Sequence, residues 1–105
     1  LFRDGDRAES YFIVKDGKVA LEFKQEDGSV LTETVGSGMG VGCSAIAGLR
    51  EYMSDARCET PCKLLCWSQS TLRHLFNQEN RLGYMMMKAC AMSLNARVAG
   101  KLEKV

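Results

Sequence analysis

Val35-Gly36-Ser37-Gly38-Met39-Gly40-Val41-Gly42-Cys43-Ser44-Ala45-Ile46 is the stretch that orders the rest of this 105-residue chain. Glycine stands at every second position from Gly36 to Gly42. Such density lets backbone approach a ligand closely, because no Cβ intervenes. A short helix starting near Ser44 would then aim its first N–H groups at an anion. Glycines in β-turns also serve the turn alone, so this stretch by itself leaves both readings open.

Upstream, the chain punctuates like a β domain. Gly5-Asp6, Asp16-Gly17 and Asp27-Gly28 mark turns at short intervals. Between them lie the apolar run Tyr11-Phe12-Ile13-Val14 and the segment Val19-Ala20-Leu21-Glu22-Phe23. In the latter, Val19, Leu21 and Phe23 alternate with Ala20, Glu22 and Lys24, the period of a half-buried strand. Asp27-Gly28 joins it to Val30-Leu31-Thr32-Glu33-Thr34-Val35 as a hairpin. Short strands at regular turns predict a sandwich or barrel.

Downstream the period changes. Ser68 or Ser70 can cap a short helix with Leu72, Leu75 and Phe76 on one face. A longer helix is expected from about Asn80 to the end. Met87, Ala91, Leu94, Val98, Leu102 and Val105 form one apolar stripe, and Leu82, Met85, Ala89, Met92, Ala96 and Ala99 form a second. Two stripes permit two readings: one wide face against the β domain, or one stripe for the domain and one for a symmetry mate. The second reading places a homodimer interface at Met87, Ala91, Leu94 and Val98.

The order of these pieces is more specific than any one of them. Leu1-Phe2-Arg3-Asp4-Gly5-Asp6 is followed by Tyr11-Phe12-Ile13-Val14-Lys15-Asp16-Gly17-Lys18-Val19 and then the glycine turn. Cys62-Lys63-Leu64-Leu65-Cys66-Trp67 comes next, then the two helices. This succession resembles the cyclic-nucleotide-binding domain family, the sensor domains of the catabolite activator type, over about residues 1–101. The resemblance implies a mainly β fold with C-terminal helices: a double-stranded β-helix jelly roll over residues 1–67, then a short and a long helix over 68–105. The family's jelly roll has eight strands, and this chain is expected to lack its leading helix and first strand. Since residue 1 is leucine, the chain reads as a single domain from a longer protein.

The family's phosphate cassette is Gly-Glu-Leu, a short helix and loop, then Arg-x-Ala-Thr or Arg-x-Ala-Ser. Its glutamate bonds the ribose and its arginine neutralises the cyclic phosphate. Carried onto this chain, the pocket comprises Gly42, Cys43, Ser44 and Ala45, then Tyr52, Met53 and Ser54, with Arg97 of the long helix near the mouth. Gly42 keeps the glycine, but Cys43 stands at the glutamate and Ser44 at the leucine. Registering the next strand on Cys62-Lys63-Leu64-Leu65 puts Tyr52 at the arginine and Ser54-Asp55 at the following pair, so that Asp55 adds an anion nearby. A slip of two residues would put Ser54 at the arginine. In either register the cation is absent, leaving Arg50, Arg57 or Arg97 as the only rescue. A charge-assisted bond contributes about 1.5–3 kcal/mol. Losing both anchors is therefore expected to weaken cyclic nucleotide binding by about a hundredfold or more. The resemblance implies a regulatory sensor of some small molecule; the alternatives are a ligand-free dimerisation module and a redox sensor acting through Cys43.

Composition narrows the other classes. A formal net charge of +1 is no footprint of a nucleic-acid binder, and no apolar run approaches the roughly 20 residues that span a bilayer. Five cysteines without secretory context suggest reduced thiols and a cytoplasmic protein. Cys58, Cys62 and Cys66 fit neither zinc nor cluster spacing, so no metal is expected, and strand positions predict their burial. Cys43, at a helix start, is expected to be the most reactive. The single histidine, His74, reads as a solvated helix position. With no second histidine and no adjacent nucleophile–base pair, no catalytic residue and no cofactor is expected.

Overall fold

The computed structural model describes the backbone of residues 1–103 and the side chains of residues 1–92. Leu94, Arg97 and Val98 therefore lie outside the described side chains.

Among the described residues, six strands form two antiparallel sheets of three. β1 (Ser10–Asp16), β4 (Gly40–Val41) and β6 (Lys63–Ser68) make one, in the order β4-β1-β6. β2 (Val19–Lys24), β3 (Val30–Val35) and β5 (Asp55–Cys58) make the other, in the order β3-β2-β5. The Asp27-Gly28 hairpin forms as expected, pairing Lys24 with Val30 and Val19 with Val35. The jelly-roll class holds, but the strand number is lower than the family resemblance implies. The segments that would supply further strands make only isolated bridges, Phe2 to Ala56 and Arg7 to Glu51. Gly5, at φ 89°, lies between these two bridges and donates its amide to the Tyr52 carbonyl at 3.0 Å, so the pairing there is irregular.

The run Tyr11-Phe12-Ile13-Val14 is apolar throughout because its strand is covered on both faces. Phe12 and Val14 face the sandwich core with Val19, Leu21, Val35 and Val41. Tyr11 and Ile13 face a second core with Ala45, Ile46 and Leu72 of the helices. A strand buried on both sides loses the alternation that marks a half-buried one.

Ser68 caps α2 (Gln69–Gln78), accepting a bond from the Thr71 amide at 3.1 Å. Leu72 on its inner face is buried. His74 is exposed, with Gln78 at 3.2 Å. α3 (Asn80–Glu103) follows directly. Its buried line is neither of the two expected stripes but runs between them, through Gly83, the partly buried Met86, and Cys90. A Cβ on Gly83 would lie 3.1 Å from the Phe76 ring, so this glycine sets how closely α3 approaches α2. Leu82, Met85 and Met92 remain exposed. The wide buried face is thus absent from the described part of α3.

Burial of the three evenly spaced cysteines is overturned as well. Cys58 and Cys66 are exposed and Cys62 is half-buried. The reason is their place in the sheets: β5 and β6 are edge strands, with one side unpaired. The cysteine that is buried is Cys90.

Candidate ligand pocket

Gly42 is the residue on which the site turns. It ends the glycine stretch in the left-handed region, at φ 92°, and serves as N-cap of α1 (Cys43–Ile46), a single helical turn. A Cβ on Gly42 would stand 2.9 Å from the Ser10 carbonyl oxygen and 3.3 Å from the Tyr52 ring. Both the conformation and the space exclude a side chain.

Tyr52, which the sequence register sets against the family's arginine, is held by internal contacts. Its ring stacks on Phe2 at 3.6 Å between centroids, 7° from parallel. The hydroxyl donates to the Ser10 carbonyl and accepts from the Ser10 amide, the latter at 3.0 Å. The Tyr52 amide donates to the Asp6 carbonyl, and its carbonyl accepts from the Gly5 amide. Burial pushes the Tyr52 phenol up, only partly opposed by its bond to Ser10, so the group is neutral at physiological pH. Tyr11 nearby is pushed up too, chiefly by burial and then by the neighbouring Cys90 and Cys43 thiols.

Beside Tyr52, a cavity of about 210 Å³ opens between the sandwich, α1 and α3. Gly42, Cys43 and Ser44 form one wall, Tyr52, Met53 and Ser54 a second, and Met87, Cys90 and Ala91 of α3 close the third. Seven of the eight carried-over positions have described side chains; of these, all but Ala45 line the cavity. Ala45 is buried behind the wall. Met87 and Ala91, assigned from sequence to a dimer interface, also line it. Phe2, Leu21 and Phe23 form its floor. They carried no local signal beyond the period-two burial of Leu21 and Phe23, because the floor is assembled from separate elements.

No charged side chain among the described residues lines this cavity. Asp55 is not the nearby anion expected: it accepts from the Asp4 amide at 2.7 Å and opens on a different groove. Of the rescuing arginines, Arg57 is held by Glu22 at 2.9 Å on that other groove. Arg50 lines a roomier, polar hollow of about 920 Å³ with Arg7 and Arg73, away from Gly42. That hollow is open to solvent, and Glu9 and Glu51 balance part of its positive charge.

By exposure alone the thiols order differently from the reactivity expected of Cys43. Cys43 is half-buried, whereas Cys58 and Cys66 are exposed. Partial burial and a hydrogen bond with the Cys62 thiol push the Cys58 thiol up, which slows it as a nucleophile. Brief alkylation followed by mass spectrometry should label Cys66 first and the buried Cys90 last. Labelling of Cys43 ahead of Cys66 would restore the original ranking. Among the described residues no group of His, Cys, Asp or Glu is arranged to hold a metal ion.

The family model for the cyclic nucleotide-binding domain matches residues 1–79. The chain belongs to that family. Among solved structures it is similar to the c-di-GMP-responsive global regulator CLP of Xanthomonas campestris, at 25% identity and a TM-score of 0.79, covering 99% of this chain and 52% of that one. The catabolite activator protein of Thermus thermophilus superposes with a TM-score of 0.80 at 20% identity, covering 98% and 48% of the two chains. A cyclic nucleotide-binding domain of Methylobacillus flagellatus gives 0.80 at 18% identity, covering 100% and 60%. The last two show the fold alone. The chain spans about half the length of the two regulators. No curated protein matches it, and no described helix is long and apolar enough to cross a membrane.

Proposed function

We propose that this chain is the ligand-sensing module of a larger cytoplasmic regulator, and that its pocket does not hold a cyclic phosphate in the family's way. The observation that carries this reading is Tyr52. It occupies the place of the phosphate-binding arginine with a neutral phenol whose hydroxyl is committed to the Ser10 backbone. With Cys43 in place of the glutamate, a cyclic nucleotide would bring a phosphate charge into a cavity lined by no described cation. An unpaired buried charge costs several kcal/mol. The regulator reading is supported by the similarity to CLP, a regulator about twice as long as this chain.

Titration calorimetry with cyclic AMP and cyclic GMP is the test. The expected affinity lies about a hundredfold or more below that of a site with both anchors. Sub-micromolar binding of either nucleotide would show that another cation, Arg97 foremost, has taken the phosphate.

The module acts as a homodimer through α3 in this proposal. With Met87 and Ala91 turned to the cavity, Leu82, Met85 and Met92 are 40%, 56% and 64% exposed on the same helix. A second copy packed along α3 would cover them, at about 25 cal/mol per Å² of apolar area. Sedimentation should show a dimer that the double substitution Met85→Glu, Met92→Glu converts to monomer. A wild type that is already monomeric at high concentration would refute the dimer.

A further inference from the structure

We propose that the cavity beside Tyr52 binds a neutral, largely apolar small molecule carrying one hydrogen-bonding group, which engages the Ser54 hydroxyl. This rests on the reading that the pocket does not take a cyclic phosphate in the family's way.

Size comes first. An engineered apolar cavity of about 150 Å³ holds a benzene ring, while one water occupies about 30 Å³. The present cavity, at about 210 Å³, suits a compact body somewhat larger than one ring. Its walls come from Phe2, Leu21, Phe23 and Cys90, with Met53 and Met87 beside them. Thioether side chains adapt to the shape they meet, so the site fits an apolar body without demanding one outline.

Charge comes second. The described lining holds no cation or carboxylate, so among the described residues an ionised ligand of either sign finds no partner. The described lining favours a neutral molecule.

Ser54 comes third. It is 7% exposed, the one polar residue in the buried set, and it lines the cavity. Its hydroxyl makes no hydrogen bond to another described residue, yet no described buried side-chain oxygen is sealed off without a partner. The hydroxyl therefore keeps some accessible surface, and Ser54 is one of the residues that line the cavity. Buried polar groups are as a rule hydrogen-bonded, so the partner is supplied by what fills the space. One water would satisfy the hydroxyl but leave most of the volume empty. The Tyr52 hydroxyl cannot take this part, because Ser10 uses it both as donor and as acceptor. A bound molecule would touch Cys43 on α1 and Met87 and Ala91 on α3 together, so occupancy ties these two helices through the ligand.

The probes that test this are 2-naphthol, naphthalene and 2-naphthoate, titrated into the full chain by calorimetry and by amide NMR. 2-Naphthol should bind saturably, shift the amides of Gly42, Ser54 and Met87, and slow alkylation of Cys43. Ser54→Ala removes a hydroxyl that holds nothing else in place, and should weaken 2-naphthol about three- to tenfold while leaving naphthalene unchanged. The anion 2-naphthoate should bind at least about tenfold more weakly than 2-naphthol. Ala91→Phe, which fills the mouth, should abolish binding of both neutral probes. The inference is overturned if 2-naphthol does not saturate by about 1 mM. It is also overturned if Ser54→Ala leaves 2-naphthol unaffected, or if 2-naphthoate binds as tightly. Should the neutral probes fail while cyclic AMP also fails, this inference falls and the reading of a pocket without phosphate anchors stands. Sub-micromolar cyclic AMP would instead bring down that reading.

Discussion

Tyr52→Ala should cost about 3–5 kcal/mol of stability, the range for truncating a buried aromatic side chain. Tyr52 is 6% exposed and ties the N-terminal stretch from Phe2 to Ser10 to a segment more than 40 residues further along the chain. Its ring holds Phe2 at 3.6 Å, its hydroxyl bridges the amide and carbonyl of Ser10, and its backbone pairs with Gly5 and Asp6. Tyr52→Phe separates these contributions. It keeps the stack and the backbone pairs and withdraws both bonds from Ser10, at a cost of about 1–3 kcal/mol. Urea unfolding of the two variants beside the wild type gives both numbers. A loss under about 1 kcal/mol for Tyr52→Ala would mean that the residue does not pin this end of the sandwich. The raised pKa of Tyr52 adds a pH signature. The native state holds the proton more tightly than the unfolded chain, whose phenol titrates near 10.0. This contribution is therefore complete below pH 10 and is lost as the pH climbs through the higher native value. In Tyr52→Phe that part of the alkaline slope should disappear.

Cys43→Glu combined with Tyr52→Arg should raise cyclic AMP affinity by about a hundredfold or more, because each restored charge-assisted bond contributes about 1.5–3 kcal/mol. The two changes act on one ligand, so each alone should gain less than half of the total in logarithmic terms. The same variant should be less stable. Arginine in place of Tyr52 forfeits the stack on Phe2 and both Ser10 bonds, so the melting temperature should fall by about 10 °C or more at roughly 4–8 °C per kcal/mol. Calorimetry and a thermal scan measure the two effects on one preparation. A folded double variant whose affinity rises less than threefold would show that the backbone from Gly42 to Ala45 is no longer shaped for a phosphate. The opposition between the two effects is informative in itself. Tyr52 makes internal contacts at a position where the sequence register expects a ligand contact, so the double substitution should gain affinity at the expense of stability.

Much of the fold was legible because its signals are local. The alternation of Val19, Leu21 and Phe23, the Asp27-Gly28 hairpin and the Ser68 cap depend on residues within a few positions of each other, and each appears where the pattern places it. The glycine stretch marked the pocket for a similar reason. A left-handed φ at Gly42 and its close approach to Ser10 can be met by glycine alone, so the residue type carries the geometry. The order of these pieces then pointed to the family, whose model matches residues 1–79.

The remaining features belong to neighbours that sequence spacing does not reveal. Cys58 and Cys66 sit on strands, as expected, but exposure is decided by whether another strand lies beyond them, and β5 and β6 are edges. Asp55 follows Ser54 directly, yet alternation along an extended chain sends one to Asp4 and the other to the cavity. On α3 both apolar stripes were visible, but not that the line between them packs inward, since Gly83 matters only through the Phe76 ring against it. Residue identity determined that this chain makes the jelly roll of the cyclic nucleotide-binding family. Only the tertiary structure decided that Tyr52 is spent on Ser10 and Phe2, and that Phe2, Ser54 and Met87 meet around one small cavity. Phe2, Ser54 and Met87 lie more than 30 positions apart along the chain, over which no helical or strand period carries information.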